Sequence, residues 1–118
     1  MSNYRCNRIP GGTYFFTVNL YDRKSDLLIT HIDALCAAVR IVKQQRPFHI
    51  DAWVILRDHL HCIWALPAHD DDYSSRWQII KKVFSKFIPK TEYRSETHII
   101  RNERGIWQRC FWEHTIYR

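Results

Sequence analysis

Two histidines lie two positions apart in the segment Asp58-His59-Leu60-His61, and their type and spacing could support metal chemistry. If this segment is a β-strand, alternation places both imidazoles on one face and Leu60 on the other. Two neighbouring imidazoles can bind one divalent cation, including Mg²⁺ or Mn²⁺ when phosphate oxygens complete its coordination shell. Such a cation could polarise a scissile phosphate, while Asp58 could orient one imidazole or serve only in a turn. Taken without its context, this spacing is more typical of two exposed histidines that bind no ligand.

The chain carries more positive than negative side chains. Its 18 Lys and Arg residues against 12 Asp and Glu give a net charge of +6, with a pI of about 9.4. This excess favours an anionic partner, nucleic acid first, although a basic helix face can also be merely solvated. Trp107 or Trp112 could stack on the bases of a single strand. The residues predicted to contact nucleic acid are Arg5, Arg8, Arg76, Lys81, Lys82, Lys86 and Arg109.

Hydrophobic periodicity predicts the elements that must position these residues. Thr30 and Asp33 resemble an N-terminal capping pair for the first helix. The predicted elements are a strand over 14–20, a helix over 32–46, strands over 48–56 and 59–66 joined as a hairpin, a helix over 74–87, a mobile loop over 90–104 and a strand over 106–112. The strand over 48–56 is expected to place Phe48, Ile50, Ala52, Val54 and Leu56 on one face and Trp53 and Ile55 on the other.

The order β-α-β-β-α-β predicts an α+β, ferredoxin-like sandwich, in which two helices cover one face of a four-stranded antiparallel sheet. The other face stays open for binding. A length of 118 residues suits one domain. No apolar run approaches the ~20 residues of a membrane-spanning helix, and no secretory signal is evident, so we expect a cytoplasmic protein without a membrane partner. The four widely spaced cysteines are expected to be ordinary thiols, without disulfides or a zinc site.

Five segments stand out, in order along nearly the whole chain: residues 11–20 (GGTYFFTVNL), 50–56 (IDAWVIL), 58–64 (DHLHCIW), 105–109 (GIWQR) and 111–114 (FWEH). Together they resemble the REP-associated tyrosine transposases, which are relatives of the single-tyrosine HUH transposases. The resemblance implies a ferredoxin-like domain that acts on single-stranded or hairpin DNA formed by repetitive extragenic palindromes (REPs). It implies that His59 and His61 hold Mg²⁺ or Mn²⁺. It also implies that a tyrosine cleaves and rejoins the strand through a phosphotyrosine intermediate.

The sequence departs from the family pattern at two places. Arg57 stands where the family usually has a proline, which should alter the hairpin. The family's nucleophilic tyrosine and its third metal ligand lie on a further helix after the FWEH strand, whereas this sequence ends at Arg118. Tyr117 follows that strand too closely to take the nucleophile's position. We therefore expect a domain over 1–118 that binds DNA and metal but is impaired in cleavage. The alternative is a non-enzymatic module that occupies or represses palindromic sites, and an uncovered sheet face would favour a homodimer.

Overall fold

The computed structural model of the protein describes residues 8–90 and 92–116. Strands and helices alternate along this part of the chain much as the periodicity predicts. In chain order they are β1 (Thr13–Asn19), α1 (Leu27–Thr30), α2 (Ile32–Gln45), β2 (His49–Ile55), β3 (His59–Ala65), α3 (Tyr73–Phe87), α4 (Glu96–Ile100) and β4 (Trp112–Ile116). No helix within these residues is both long and apolar enough to cross a membrane.

The four strands form one antiparallel sheet in the order β2-β3-β1-β4. β1 and β3 occupy the centre, and their inward side chains are buried while the alternate ones are half-buried. The long helices α2 and α3 pack together on the buried face. This arrangement confirms the predicted α+β, ferredoxin-like sandwich. We call the sheet face that these two helices do not cover the open face.

Aromatic side chains fix α3 to the sheet. The Trp64 ring of β3 stacks on the Trp77 ring of α3, with centroids 4.5 Å apart and planes 14° apart. Phe16 of β1 contacts both indoles, at centroid distances of 4.8 and 5.5 Å. All three rings are almost completely buried, so they contribute much of the core's apolar burial. The packing of these rings fixes α3 to the sheet that carries the open-face residues.

The last strand lies later in the chain than predicted. β4 begins at Trp112, not Ile106, and pairs with β1 from Thr17↔Trp112 to Thr13↔Ile116. The segment 106–112 contributes only an isolated bridge from Trp107 to Leu20. The alternation of apolar residues over 106–112 predicted a strand that does not form there. The observed strand β4 was missed because two of its inward side chains, Glu113 and Thr115, are polar. A hydrophobic pattern cannot reveal a strand of that kind.

A β-bulge reverses the predicted faces of the second strand. The pairing of β2 with β3 shifts register between Ile50 and Ala52. Beyond the bulge Trp53 and Ile55 pack against the core, whereas Val54 is 55% exposed. The expectation that Val54 shares a face with Ile50 was therefore wrong, because one extra residue exchanges inward and outward positions.

Two further expectations about local structure are corrected. The first helix of the sandwich begins at Ile32 with His31 as its N-cap and no side-chain capping bond, because Thr30 ends the separate helix α1. The predicted Thr30–Asp33 capping pair is thus absent. The segment expected to be a mobile loop contains α4, whose first turn is capped by the hydroxyl of Ser95. The three described cysteines, Cys36, Cys62 and Cys110, are free thiols as expected.

Candidate metal and nucleic-acid site

His59 and His61 lie side by side on the open face of β3. Their positions pair with Asn19 and Thr17 of the central strand β1. The ring centroids are 5.0 Å apart, and the planes are nearly perpendicular, at 79°. Both side chains are only partly buried. The shared face that alternation predicts is therefore observed, at the centre of the sheet.

Each imidazole is held through its Nδ1 atom. His61 Nδ1 lies 2.9 Å from the Thr17 hydroxyl, and His59 Nδ1 lies 2.8 Å from Asp58 Oδ1. No hydrogen bond between described residues uses either Nε2 atom. Histidines that bind metals usually donate their other ring N–H to a carboxylate or another oxygen in this way. The arrangement fixes both rings and leaves both Nε2 atoms available as ligands.

Asp58 is itself anchored by a cation. Arg23 Nε donates to Asp58 Oδ2 at 2.5 Å. The Arg23 guanidinium, together with the bond to His59, lowers the pKa of Asp58 to about 2. The carboxyl is therefore ionised at neutral pH and accepts from His59 Nδ1–H. Of the two sequence interpretations of Asp58, the one in which it orients an imidazole matches the observed contact.

His61 is neutral at physiological pH. Burial lowers its pKa from the ordinary value, and the neighbouring His59 lowers it further. A histidine binds a metal only in its neutral form, so this environment suits a ligand. Across the described residues, no group of three or more His, Cys, Asp and Glu side chains converges as a metal site would. The pair alone supplies two nitrogen donors.

Aromatic rings continue the open face from His61 towards the edge strand β4. Phe15 stacks on His61 with centroids 5.6 Å apart, and it meets Trp112 edge-on at 6.4 Å. Trp112 is parallel to His114 and is 47% exposed. Of the two tryptophans considered for base stacking, Trp112 presents its ring on the open face. Trp107 is half-buried beneath Lys81, with the ammonium 5.9 Å from its ring centroid.

A basic groove lies on the opposite side of the sheet, between α3 and the segment 98–109, with a volume of about 1030 Å³. Lys82, Lys86 and Arg109 line it and are exposed. Lys81 lies deeper, with its ammonium 3.1 Å from the Gln108 carbonyl oxygen. Burial lowers the pKa of Lys81 to about 8. The structure thus brings four of the predicted nucleic-acid-binding residues to one groove.

Arg76 does not belong to that exposed set. It is 2% exposed and donates to both carboxylate oxygens of Asp70, at 2.8 and 3.0 Å. It also donates to the carbonyl oxygens of Arg46, Pro47 and Asp72. Placing Arg76 on a basic surface was wrong because helical spacing alone does not reveal a buried guanidinium with several partners.

The remaining predicted site residues lie away from the groove or outside the described residues. Arg8 is about 45% exposed in its side chain and lies 3.7 Å from Asp72. Arg5 and Tyr117 both lie outside the described residues. Sequence reasoning missed Thr17 as a partner of His61. The signal available was a polar residue in the middle of an apolar alternating strand.

The fold is shared with other solved proteins. A crystal structure of a Deinococcus radiodurans R1 protein, assigned as a transposase, superposes with a TM-score of 0.62 over 99% of this chain and 87% of that one. Its sequence is only 17% identical, so this likeness concerns the fold alone. A scan of family models gives no match.

Two curated relatives are much closer in sequence. The REP-associated tyrosine transposase of Escherichia coli K12 is 51% identical over 98% of this chain and 62% of the relative. A Haemophilus influenzae protein assigned to the same family is 40% identical over 98% of this chain and 66% of the relative. A solved REP-associated tyrosine transposase bound to a REP hairpin is 48% identical, with a TM-score of 0.81 over this whole chain and 64% of that one.

The chain is a homologue of the REP-associated tyrosine transposases, as the sequence motifs indicate. It spans slightly less than two thirds of the length of these relatives.

Proposed function

We propose that this chain binds hairpin DNA with an adjoining single strand and that His59 and His61 bind a divalent metal, Mg²⁺ or Mn²⁺, at the DNA phosphate. The observation that carries the proposal is the pair of oriented imidazoles, each held through Nδ1, on one face of the sheet. The hairpin comes from the homologue that was solved with one bound.

The donor set fits a shared cation. Two imidazole nitrogens satisfy part of a divalent shell and leave positions for phosphate and water oxygens. When bound there, the metal would polarise the scissile phosphate and stabilise charge on the leaving oxygen. Thr17 and Asp58 hold the two rings in place, and the ionised Asp58 favours the His59 tautomer that keeps Nε2 unprotonated.

The basic groove supports the DNA-binding part of the proposal. Lys82 and Lys86 provide exposed cations that can neutralise backbone phosphates without reading sequence, and Arg109, which pairs with Glu103 at 3.1 Å, lies in the same groove. We propose that this groove receives the duplex stem, while a single strand reaches the open face.

Strand cleavage and rejoining through a phosphotyrosine is the activity that the family resemblance implies. We assign the nucleophile to no residue of this chain. Incubating the chain with labelled hairpin DNA and Mn²⁺, followed by a denaturing gel, separates the two alternatives. A metal-dependent nick or a protein–DNA adduct would support an enzyme. Binding without a nick would support a module that occupies palindromic sites.

Metal binding is tested separately by titrating Mn²⁺ into the protein in a calorimeter. His59→Ala and His61→Ala should each abolish measurable binding, because a single imidazole remains. His49→Ala is the matched control, since His49 lies on the neighbouring strand with its side chain 73% exposed. Equal affinity in the wild type and in His61→Ala would disprove the metal site.

A further inference from the structure

The outer edge of β2 is an unpaired strand edge. β2 is the last strand on its side of the sheet, and among the described residues it pairs with β3 alone. Proteins usually protect such edges with charges, bulges or covering segments, because unpaired backbone groups attract another strand. The bulge of β2 interrupts only its beginning, between Ile50 and Ala52. Residues 52–55 follow without a charged side chain, so this part of the edge can accept a further strand.

The pairing of β2 with β3 shows which backbone groups face outward. The Leu56 N–H donates to the His59 carbonyl oxygen at 2.8 Å. In an antiparallel pair, residues that bond to the neighbouring strand alternate with residues whose N–H and C=O groups face away. Because the register is regular from Ala52 to Ile55, the backbone groups of Trp53 and Ile55 face away from β3. Two donors and two acceptors therefore point outward along this edge.

A groove of about 570 Å³ lies between β2 and helix α2, and we call it the edge groove. Its helical wall consists of residues three or four positions apart, which lie on one side of α2. Val39 of α2 and Trp53 of β2 line the groove and pack against the core, so both walls are held in place. No residue of the edge groove lines the basic groove or belongs to the histidine pair.

The edge groove carries positive charge that no acidic side chain neutralises. Arg40 and Lys43 line it and are exposed, and neither forms a salt bridge with another described residue. Asp51 also lines the groove, but its Oδ1 atom lies 3.2 Å from His49 Nε2. The charges of the groove therefore favour an acidic partner.

The strand edge and the charges together distinguish between possible partners. A nucleic acid is acidic, but it lacks the regular N–H and C=O groups that extend a sheet. A second copy of this chain has those groups. Antiparallel pairing of two β2 strands would, however, bring both α2 helices to one face, with Arg40 and Lys43 of each copy close to those of the other. Like charges in such positions destabilise the pairing, so an extended acidic peptide suits the edge better.

We propose that β2 binds an extended acidic segment of another protein, which adds an antiparallel strand to the sheet. Directly opposite residues of antiparallel strands place their side chains on the same face. Partner residues that bond to Trp53 and Ile55 therefore lie beside α2, where their carboxylates meet Arg40 and Lys43. The intervening residues lie beside Val54, which is 55% exposed, so apolar side chains suit them. This inference does not depend on DNA binding.

The test uses an acetylated and amidated peptide of strand length in which glutamate and valine alternate. NMR titration of the isotope-labelled protein measures the affinity, and hydrogen exchange measures the protection of single amides. The peptide should protect the N–H groups of Trp53 and Ile55, whereas that of Val54 is already bonded to β3 and should change little. A peptide with lysine in place of glutamate should bind at least about 10-fold more weakly, because two ion pairs become repulsive contacts.

N-methylation of the peptide tests strand addition without altering the protein. Methylation of the glutamate nitrogens removes the N–H groups that point towards β2 and should weaken binding at least about 10-fold. Methylation of the valine nitrogens alters only the far edge and should leave the affinity within about 2-fold of the parent peptide, since no bond to β2 is lost. Binding that survives methylation of the glutamates, or that is lost on methylation of the valines, would overturn the proposal.

Charge reversal on α2 tests the acidic specificity. The double variant Arg40→Glu, Lys43→Glu should reject the glutamate peptide and bind the lysine peptide instead. The matched control is Lys24→Glu, Arg101→Glu, which makes the same change of net charge at two exposed positions outside the edge groove and should keep the wild-type preference. An unchanged preference in the Arg40 and Lys43 variant would overturn the acidic specificity.

Two further outcomes would assign the edge to a different partner. Protection of Trp53 and Ile55 in the protein alone, with a dimer in sedimentation equilibrium, would show that a second copy pairs there. Protection of the same amides by hairpin DNA would show that nucleic acid covers the edge. Either result would overturn the proposal.

Discussion

Replacing Thr17 with valine tests whether the hydroxyl at this position prepares His61 to bind metal. Valine keeps the branched shape that packs in β1 but removes the oxygen 2.9 Å from His61 Nδ1. The free ring can then rotate and take either tautomer. A neutral hydrogen bond contributes about 0.5–1.5 kcal/mol, and partners of metal-bound histidines change affinity by about 10- to 100-fold. Because this bond is neutral and only partly buried, we expect a loss of about 10-fold in Mn²⁺ affinity.

Calorimetric titration of Mn²⁺ measures that loss directly, and urea unfolding should show a change in stability below about 1 kcal/mol. Thr17→Ser should retain the affinity because the hydroxyl is kept. Thr13→Val is the matched control, since Thr13 lies on the same face of β1, four residues before Thr17 and paired with Ala65. If Thr17→Val binds Mn²⁺ as tightly as the wild type while His61→Ala does not bind, the idea that Thr17 orients the ring is refuted.

Three further predictions concern stability and DNA binding. Arg76 holds the pKa of Asp70 at about 2, so this carboxylate contributes stability above about pH 4 that is lost as the pH falls through about 2. Urea unfolding should show the stability advantage of the wild type over Asp70→Asn shrinking by about 2 kcal/mol between pH 5 and pH 2, and a constant difference would contradict this linkage. Lys82→Gln and Lys86→Gln should each weaken hairpin binding and reduce the slope of log K against log salt by about 1, whereas an unchanged slope would exclude phosphate contacts there. Gly105→Ala should lower the thermal midpoint by several degrees, because φ is +73° and the new Cβ would lie 2.9 Å from His98 Nδ1; a wild-type midpoint would contradict this strain.

The sequence was most informative where periodicity and burial agree. The alternation around Phe16 and Leu60 predicted the two central strands, and it placed His59 and His61 on one face, where the structure has them. Helical spacing predicted α2 and α3 for the same reason, because one stripe of each helix is buried. The order of these elements was sufficient to predict the ferredoxin-like sandwich.

The failures occur where a local contact overrides the pattern. The bulge after Ile50 changes which side chains of β2 face inward, and no residue type in that segment indicates a bulge. β4 was missed because a glutamate in a sequence pattern indicates an exposed position, whereas Glu113 is buried. Arg76 was misplaced because its partners lie on a loop and at a helix end that periodicity cannot bring together.

The contact between Thr17 and His61 could not be predicted either, since it depends on the register of β1 against β3. Residues of one strand can be assigned to a face from sequence. Which residue of the next strand stands beside them requires the pairing itself.

The basic groove and the histidine pair lie on opposite sides of one sheet, and this separation limits the shape of any DNA that contacts both. The molecule is 23 Å across in its shortest dimension. Duplex DNA has a persistence length of about 150 base pairs and cannot fold around so thin a body. A single strand is flexible enough to pass around the edge of the sheet. A substrate that reaches both surfaces must therefore change from paired to unpaired at the edge of the sheet. Binding to both surfaces would then depend on where the stem ends and not on how long the stem is.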